Sequence, residues 1–196
     1  MHNDSAYFDP RELRWKAFER QLETSDVITP TSALCWLYQK ADARKVPVGI
    51  IGPRDANEQQ ALTAEDLGRN FGEIGIPLIT GGKNGVMEYA SKGCSESGGV
   101  VIGLIPEGDW SMANKYVDIP IATGIGKARN VLIAHSSLAL IAIGGGYGTM
   151  SEIAFGLHFN KPVFVMEGAP HLDGVQAVAT VQDVISKLAA FILKIS

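Results

Sequence analysis

Cysteine is scarce in this chain: Cys35 and Cys94 are the only two, and they lack Cys-x-x-Cys spacing. The expected state is therefore two reduced, partly buried thiols of a cytoplasmic protein rather than a disulfide framework. The four histidines, His2, His135, His158 and His171, stand without ligand spacing, so no structural metal site is expected. Basic charge is in deficit as well, 17 Lys+Arg against 21 Asp+Glu for a net charge of −4. That balance gives no support for a nucleic-acid footprint, which leans on basic patches. No apolar run approaches the roughly 20 residues of a membrane span, so no membrane partner is expected. Met1-His2-Asn3-Asp4-Ser5 is polar and mildly acidic instead of basic and apolar, which also points to the cytoplasm.

Several catalytic signatures are missing too. Gly49-Ile50-Ile51-Gly52-Pro53-Arg54 lacks the spacing of a dinucleotide fingerprint, which disfavours NAD. Gly126-Lys127 is not a Walker A loop: Ile121 stands where a glycine is required, and Ala128 where Ser or Thr is required. Ser136-Ser137 has no nucleophile-elbow context, so acyl transfer is poorly supported.

What remains is a chain of 196 residues, 46% hydrophobic and 19% charged, long enough for one well-packed domain and short for two. Residues 1–45 carry a helical pattern around Pro10–Glu23 and another around Thr31–Ala43, with Thr31 or Ser32 as the expected cap. They are read as a helical N-terminal extension, and residues 46–196 as the main domain. From Val46 onward, short runs rich in Val, Ile and Leu alternate with amphipathic stretches. Strands are expected at Val46–Gly52, Pro77–Thr80, Gly99–Ile105, Tyr116–Ile121, Leu138–Ile143 and Pro162–Met166. Helices are expected at Glu58–Ile74, Val86–Ser97, Ile125–Ser136, Thr149–Phe159 and Val178–Leu193. Continuous apolar strands indicate a parallel sheet covered on both faces. The expected fold is a doubly wound, Rossmann-like α/β sheet of about six or seven strands.

Within that pattern one segment carries chemistry. Gly144-Gly145-Gly146-Tyr147-Gly148-Thr149-Met150-Ser151-Glu152 joins a buried strand to a helix. Consecutive glycines let backbone N–H groups approach a phosphate, and the helix N-terminus adds unpaired donors and partial positive charge. Gly145, Gly146, Tyr147, Gly148 and Thr149 are the candidate phosphate cradle, and Glu152 brings a carboxylate beside it. A second glycine-rich turn, Gly81-Gly82-Lys83-Asn84-Gly85, also follows a strand, with Gly81, Gly82 and Lys83 as candidate ligand contacts. Arg129, at a helix start, is placed to pair bidentately with an anion. Turns at Gly52, Gly81-Gly82, Gly124-Gly126 and Gly144–Gly148 are expected on one rim, at the carboxyl ends of the strands.

Gly145-Gly146-Tyr147-Gly148-Thr149-Met150-Ser151-Glu152 resembles the PGGxGTxxE signature of the family labelled "lysine decarboxylase-like". Its members include the LONELY GUY cytokinin-activating phosphoribohydrolases. With Thr80-Gly81-Gly82, Gly85-Val86-Met87-Glu88 and Ala128-Arg129-Asn130, the chain looks closer still to the branch containing molybdenum-cofactor carrier proteins. The resemblance spans Val46 to Met166 and implies a Rossmann-like subunit in a homodimer or higher homo-oligomer. It implies that Arg129 and Glu152 act on the N-glycosidic bond of a nucleoside 5′-monophosphate, with no cofactor required. In the carrier reading, the same cradle holds a nucleotide or the molybdenum cofactor. Two positions depart from the hydrolases: Gly144 replaces their leading Pro, and Asn130 replaces the Lys of their Arg-Lys pair. The decarboxylase label itself has no support, because nothing identifies a pyridoxal-phosphate lysine.

Overall fold

The computed structural model describes residues 2–3, 6–17 and 28–195. The chain divides into two units, Met1–Lys45 with Ile185–Ser196, and Val46–Val184. In the first, β1 (His2–Asn3), β2 (Ala6–Asp9) and β3 (Arg14–Ala17) form an antiparallel sheet. The helical pattern around Pro10–Glu23 is therefore, over Pro10–Ala17, a turn and a strand; the part from residue 18 lies outside the described residues. The local reason is Asp9, whose Oδ1 accepts the backbone N–H of Arg11 at 2.8 Å and of Glu12 at 2.9 Å. That closes a side-chain-mediated turn, and the cross-strand pair Phe8–Trp15 holds the hairpin with ring centroids 5.5 Å apart. Helix α1 (Pro30–Gln39) is capped by Thr29, two residues before Thr31 and three before Ser32, the expected caps. The Thr29 side chain accepts from Ser32 N at 3.1 Å, which puts Pro30 at the first helical position, where its missing N–H costs nothing.

The second unit is the expected doubly wound sheet. Its strands are β4 (Val48–Ile51), β5 (Leu78–Thr80), β6 (Val101–Ile105), β7 (Ile119–Ala122), β8 (Leu140–Ile143), β9 (Val163–Met166) and β10 (Gln176–Ala177). All seven are parallel, in the order β10-β9-β8-β4-β5-β6-β7. Every residue of β4, β5, β8 and β9 is buried, which is why these strands read as unbroken apolar runs. The connecting helices are α2 (Glu58–Ile74), α3 (Val86–Glu96), α4 (Asn130–Ser136) and α5 (Tyr147–His158); α6 (Val181–Leu193) begins in this unit. Strand β7 starts three residues later than expected. Tyr116 N is held by Asn114 Oδ1, and Asp118 Oδ2 accepts Val101 N at 2.8 Å before the ladder begins. The two-residue β10 is too short to leave a periodic signal.

Chain order reverses between β4 and β8: β4 leads to β5, β6 and β7 on one side, while β8 leads to β9 and β10 on the other. The loops leaving these two adjacent strands run apart, and the crevice between them is where such sheets take ligands. Among the described residues no helix is long and apolar enough to cross a membrane.

Candidate functional site

Strand β8 empties into Gly144, whose backbone turns left-handed at φ +59° while its N–H donates to Met166 O at 3.0 Å. A Cβ there would sit 2.1 Å from Gln60 Nε2. Gln60 closes a capping box with Asn57 at the start of α2, and its Nε2 donates to Glu167 O at 3.2 Å. The ends of β8 and β9 and the start of α2 are thus tied at the switch point, and glycine is the residue that fits there. Two residues on, Gly146 caps α5 without any side chain. The first amide donors of that helix face outward with the positive end of its dipole.

Arg129 ends a 3-10 turn (Gly126–Arg129) that leads into α4. Its side chain is buried, and Nη1 donates to Glu152 Oε1 at 3.2 Å and to Asn130 Oδ1 at 2.5 Å. Nη2 lies 3.5 Å from Gly81 O, and a Cβ on Gly81 would come within 2.2 Å of Nη2, so that glycine makes room for the guanidinium. Asn130 then reaches across to α5: its Nδ2 donates to Ser151 Oγ at 3.0 Å and to Gly148 O at 3.3 Å. The guanidinium, Asn130 and the first turn of α5 form one connected wall.

A cavity of about 440 Å³ opens on that wall. It is lined by Gly52, Pro53 and Arg54 after β4, by Met87 of α3, by Lys127, Arg129 and Asn130, and by Gly146–Thr149, Ser151 and Glu152. Burial pushes the Glu152 carboxyl up to about 7, with the Arg129 guanidinium opposing that shift. Burial likewise pulls Arg129 down from its ordinary value, against the attraction of Glu152. Arg129 Nε is buried with no protein partner. A site with a carboxylate poised near neutrality, an orphan guanidinium donor and free helix amides can bind an oxyanion and move a proton.

The structure brings together Gly146, Tyr147, Gly148, Thr149, Arg129 and Glu152 around this cavity. Tyr147 is 91% exposed, so its backbone, not its ring, belongs to the first turn of the cradle. Gly145 lies behind the loop, with Thr149 packed where its Cβ would be. Gly81 contributes through its contact with Arg129, whereas Gly82 and Lys83 are not among the lining residues. Lys83 turns elsewhere: its Nζ donates to Met112 O at 2.8 Å and pairs with Glu107 at 3.2 Å, bracing the loop after β6. The Gly124-Gly126 turn is zipped to that same loop through Glu107 O and Pro106 O, so it supports the site from outside. Sequence reasoning missed Arg54, Lys127 and Met87 as lining residues. The Gly52 turn is expected on the rim and lies there, but Pro53 and Arg54 beside it are named only within a failed dinucleotide fingerprint. Among the described residues, no group of His, Cys, Asp and Glu is positioned to hold a metal ion.

Residues 45–190 match the SLOG cluster4 family. An uncharacterised protein of Archaeoglobus fulgidus is 40% identical over 139 residues, 71% of this chain and 91% of its own. A probable cytokinin riboside 5′-monophosphate phosphoribohydrolase of Oryza sativa subsp. japonica is 34% identical over 95 residues, 47% of this chain. The chain spans 39% of the length of that plant protein. Among solved structures, the molybdenum cofactor binding protein of Rippkaea orientalis superposes with a TM-score of 0.72 at 34% identity. That superposition covers 76% of this chain and 98% of the other. The likeness read from the glycine-rich motifs holds on both sides, hydrolase and carrier, and the chain belongs to the SLOG cluster4 family.

Proposed function

We propose that the cavity binds a nucleoside 5′-monophosphate by its phosphate and hydrolyses the N-glycosidic bond, releasing free base and ribose 5-phosphate. The observation that carries this reading is the buried Arg129–Glu152 pair on the wall of a cavity that also exposes the α5 N-terminus. The phosphate docks on the amides of Gly146–Thr149, where helix donors and dipole favour an anion. As the C1′–N bond breaks, the ribose becomes oxocarbenium-like, and the Glu152 carboxylate stabilises that positive charge. The same carboxylate orients a water for attack on C1′ and takes its proton. The departing base nitrogen takes a proton from solvent and Glu152 later returns its own to solvent, so that C1′–N and one water O–H are exchanged for C1′–O and N–H. A carboxyl held near 7 suits both states of this exchange. Arg129 keeps Glu152 oriented and offers its unpartnered Nε to the ligand. Ligand binding is assigned to the domain of residues 46–196, working in the cytoplasm as a homodimer or higher homo-oligomer. The family resemblance supports the homo-oligomer; the scarce cysteines, without Cys-x-x-Cys spacing, and the polar first residues support the cytoplasm.

A second reading, a carrier that holds a nucleotide or the molybdenum cofactor by its phosphate without turnover, is favoured by Gly144 and Asn130. Both depart from the hydrolase pattern, and Asn130 spends its side chain on bracing the cradle instead of offering a charge. Incubation of the protein with a panel of nucleoside 5′-monophosphates, followed by chromatography for free base, decides between them. Base release abolished in Glu152→Gln supports hydrolysis. Saturable binding with no release from any of the panel favours the carrier.

A further inference from the structure

The cations of the cavity stand on two separate walls. Lys127 and Arg129 belong to the wall that Asn130 fastens to α5, where the helix amides already provide for one phosphate. Arg54 belongs to the other, the Gly52-Pro53-Arg54 turn after β4. That turn is fixed to the start of α3 by the bond from Val86 N to Pro53 O, 3.1 Å. Glu152 is engaged by Arg129, and among the described residues Arg54 makes no ion pair of its own. The Arg54 charge is nonetheless felt inside the site, where it disfavours the charged form of Arg129. The same charge favours the ionised form of Glu107, whose carboxylate pairs directly with Lys83 at 3.2 Å and not with Arg54. A cation on a cavity wall that repels its neighbour and has no direct ion pair gains a charged partner when a ligand brings further negative charge.

We infer that Arg54 is a specificity-determining residue that receives a second anionic group, so that a nucleotide whose 5′-phosphate is accompanied by a second phosphate, in a diphosphate or as a separate phosphoryl group, is held more tightly than the monophosphate alone. This rests on the reading of the cavity as a nucleotide phosphate site and deepens it. The first phosphate sits on α5 beside Arg129 and Lys127; the second spans the crevice to the β4 turn. Charge-assisted recognition by a guanidinium is bidentate and geometrically selective, so the gain depends on where the second phosphate is attached.

The test is calorimetric titration of the intact protein with AMP, ADP and adenosine 3′,5′-bisphosphate at low ionic strength. It is repeated with Arg54→Gln, whose exposed position leaves folding intact, as its melting temperature will verify. One of the two doubly phosphorylated nucleotides is expected to bind about tenfold more tightly than AMP, the scale of one charged hydrogen bond. Which one it is distinguishes a diphosphate from separate phosphates. In Arg54→Gln that preference disappears while AMP binding stays within about twofold. Equal affinity for all three nucleotides would overturn the inference and leave the phosphate site standing. So would an Arg54→Gln variant that weakens AMP as much as its doubly phosphorylated relatives. No saturable binding by any of the three would overturn the nucleotide reading itself and the inference with it.

Discussion

Arg129 and Glu152, 23 residues apart in the chain, meet at 3.2 Å with both side chains more than nine-tenths buried. Charges so far from water are costly to bring together and far costlier to separate. Arg129→Met would leave Glu152 buried without a counter-charge and is expected to cost about 3–5 kcal/mol in urea unfolding. Glu152→Gln, which keeps shape and hydrogen-bonding capacity, should cost clearly less. The double substitution Arg129→Met with Glu152→Leu should cost less than Arg129→Met and Glu152→Leu measured singly and summed. Additive costs would show that the two groups do not act as a pair.

Glu152 gives the site a pH signature. Its folded-state pKa, about 7, lies above the ordinary value of 4.5, so the folded protein holds this proton more tightly than the unfolded chain. The stabilisation from this group is therefore complete below 4.5 and is lost as pH rises through about 7. The melting temperature of the wild type, taken relative to Glu152→Gln, should fall across that window. Turnover should move the opposite way, rising through about 7 as the carboxylate ionises. A flat difference in melting temperature would mean that the carboxyl titrates in the ordinary range.

Gly144 separates this chain from the hydrolase pattern in a way that the backbone explains. Proline cannot take φ +59° and has no N–H for Met166 O, and any Cβ would strike Gln60. Gly144→Pro should therefore destabilise the fold by about 3 kcal/mol or more, read from thermal or urea unfolding. A Gly144→Pro variant as stable as the wild type would show that the loop accepts another backbone path.

Asn130 carries no charge of its own, yet it links the guanidinium of Arg129 to Gly148 and Ser151. Asn130→Ala removes these bonds and frees the first turn of α5 from its brace. AMP affinity should drop about tenfold, the effect of one or two hydrogen bonds, with the melting temperature lowered only modestly. Unchanged affinity would place the phosphate away from this wall.

Much of this was legible in the sequence, for identifiable reasons. The buried strands announced themselves as unbroken apolar runs, and Asn57 and Gly75 bracket α2 at the expected ends. The glycine-rich turn that lines the cavity was legible because it stands between a buried strand and a helix. The hairpin at residues 6–17 was not, because its turn depends on a side chain, Asp9, overriding a helix-like pattern. Lys83 was read as a ligand cation because its loop is glycine-rich. The folded chain gives it a carbonyl, Met112 O, and a carboxylate, Glu107, that lie 29 and 24 residues further on, which local spacing cannot reveal. Arg54 escaped notice for the converse reason. Its turn is expected on the rim but lacks a motif, so nothing in the local spacing singles out Arg54, whereas the strand order puts β4 beside β8 at the crevice.

The central claim is that a phosphate ester rests on the first turn of α5 within reach of Arg129, with its glycosidic bond toward Glu152. A crystal structure of Glu152→Gln soaked with AMP tests it most directly. Phosphate oxygens are expected on the amides of Gly146–Thr149, with C1′ beside residue 152. A nucleotide bound elsewhere on the molecule, with the α5 N-terminus unoccupied, would contradict it.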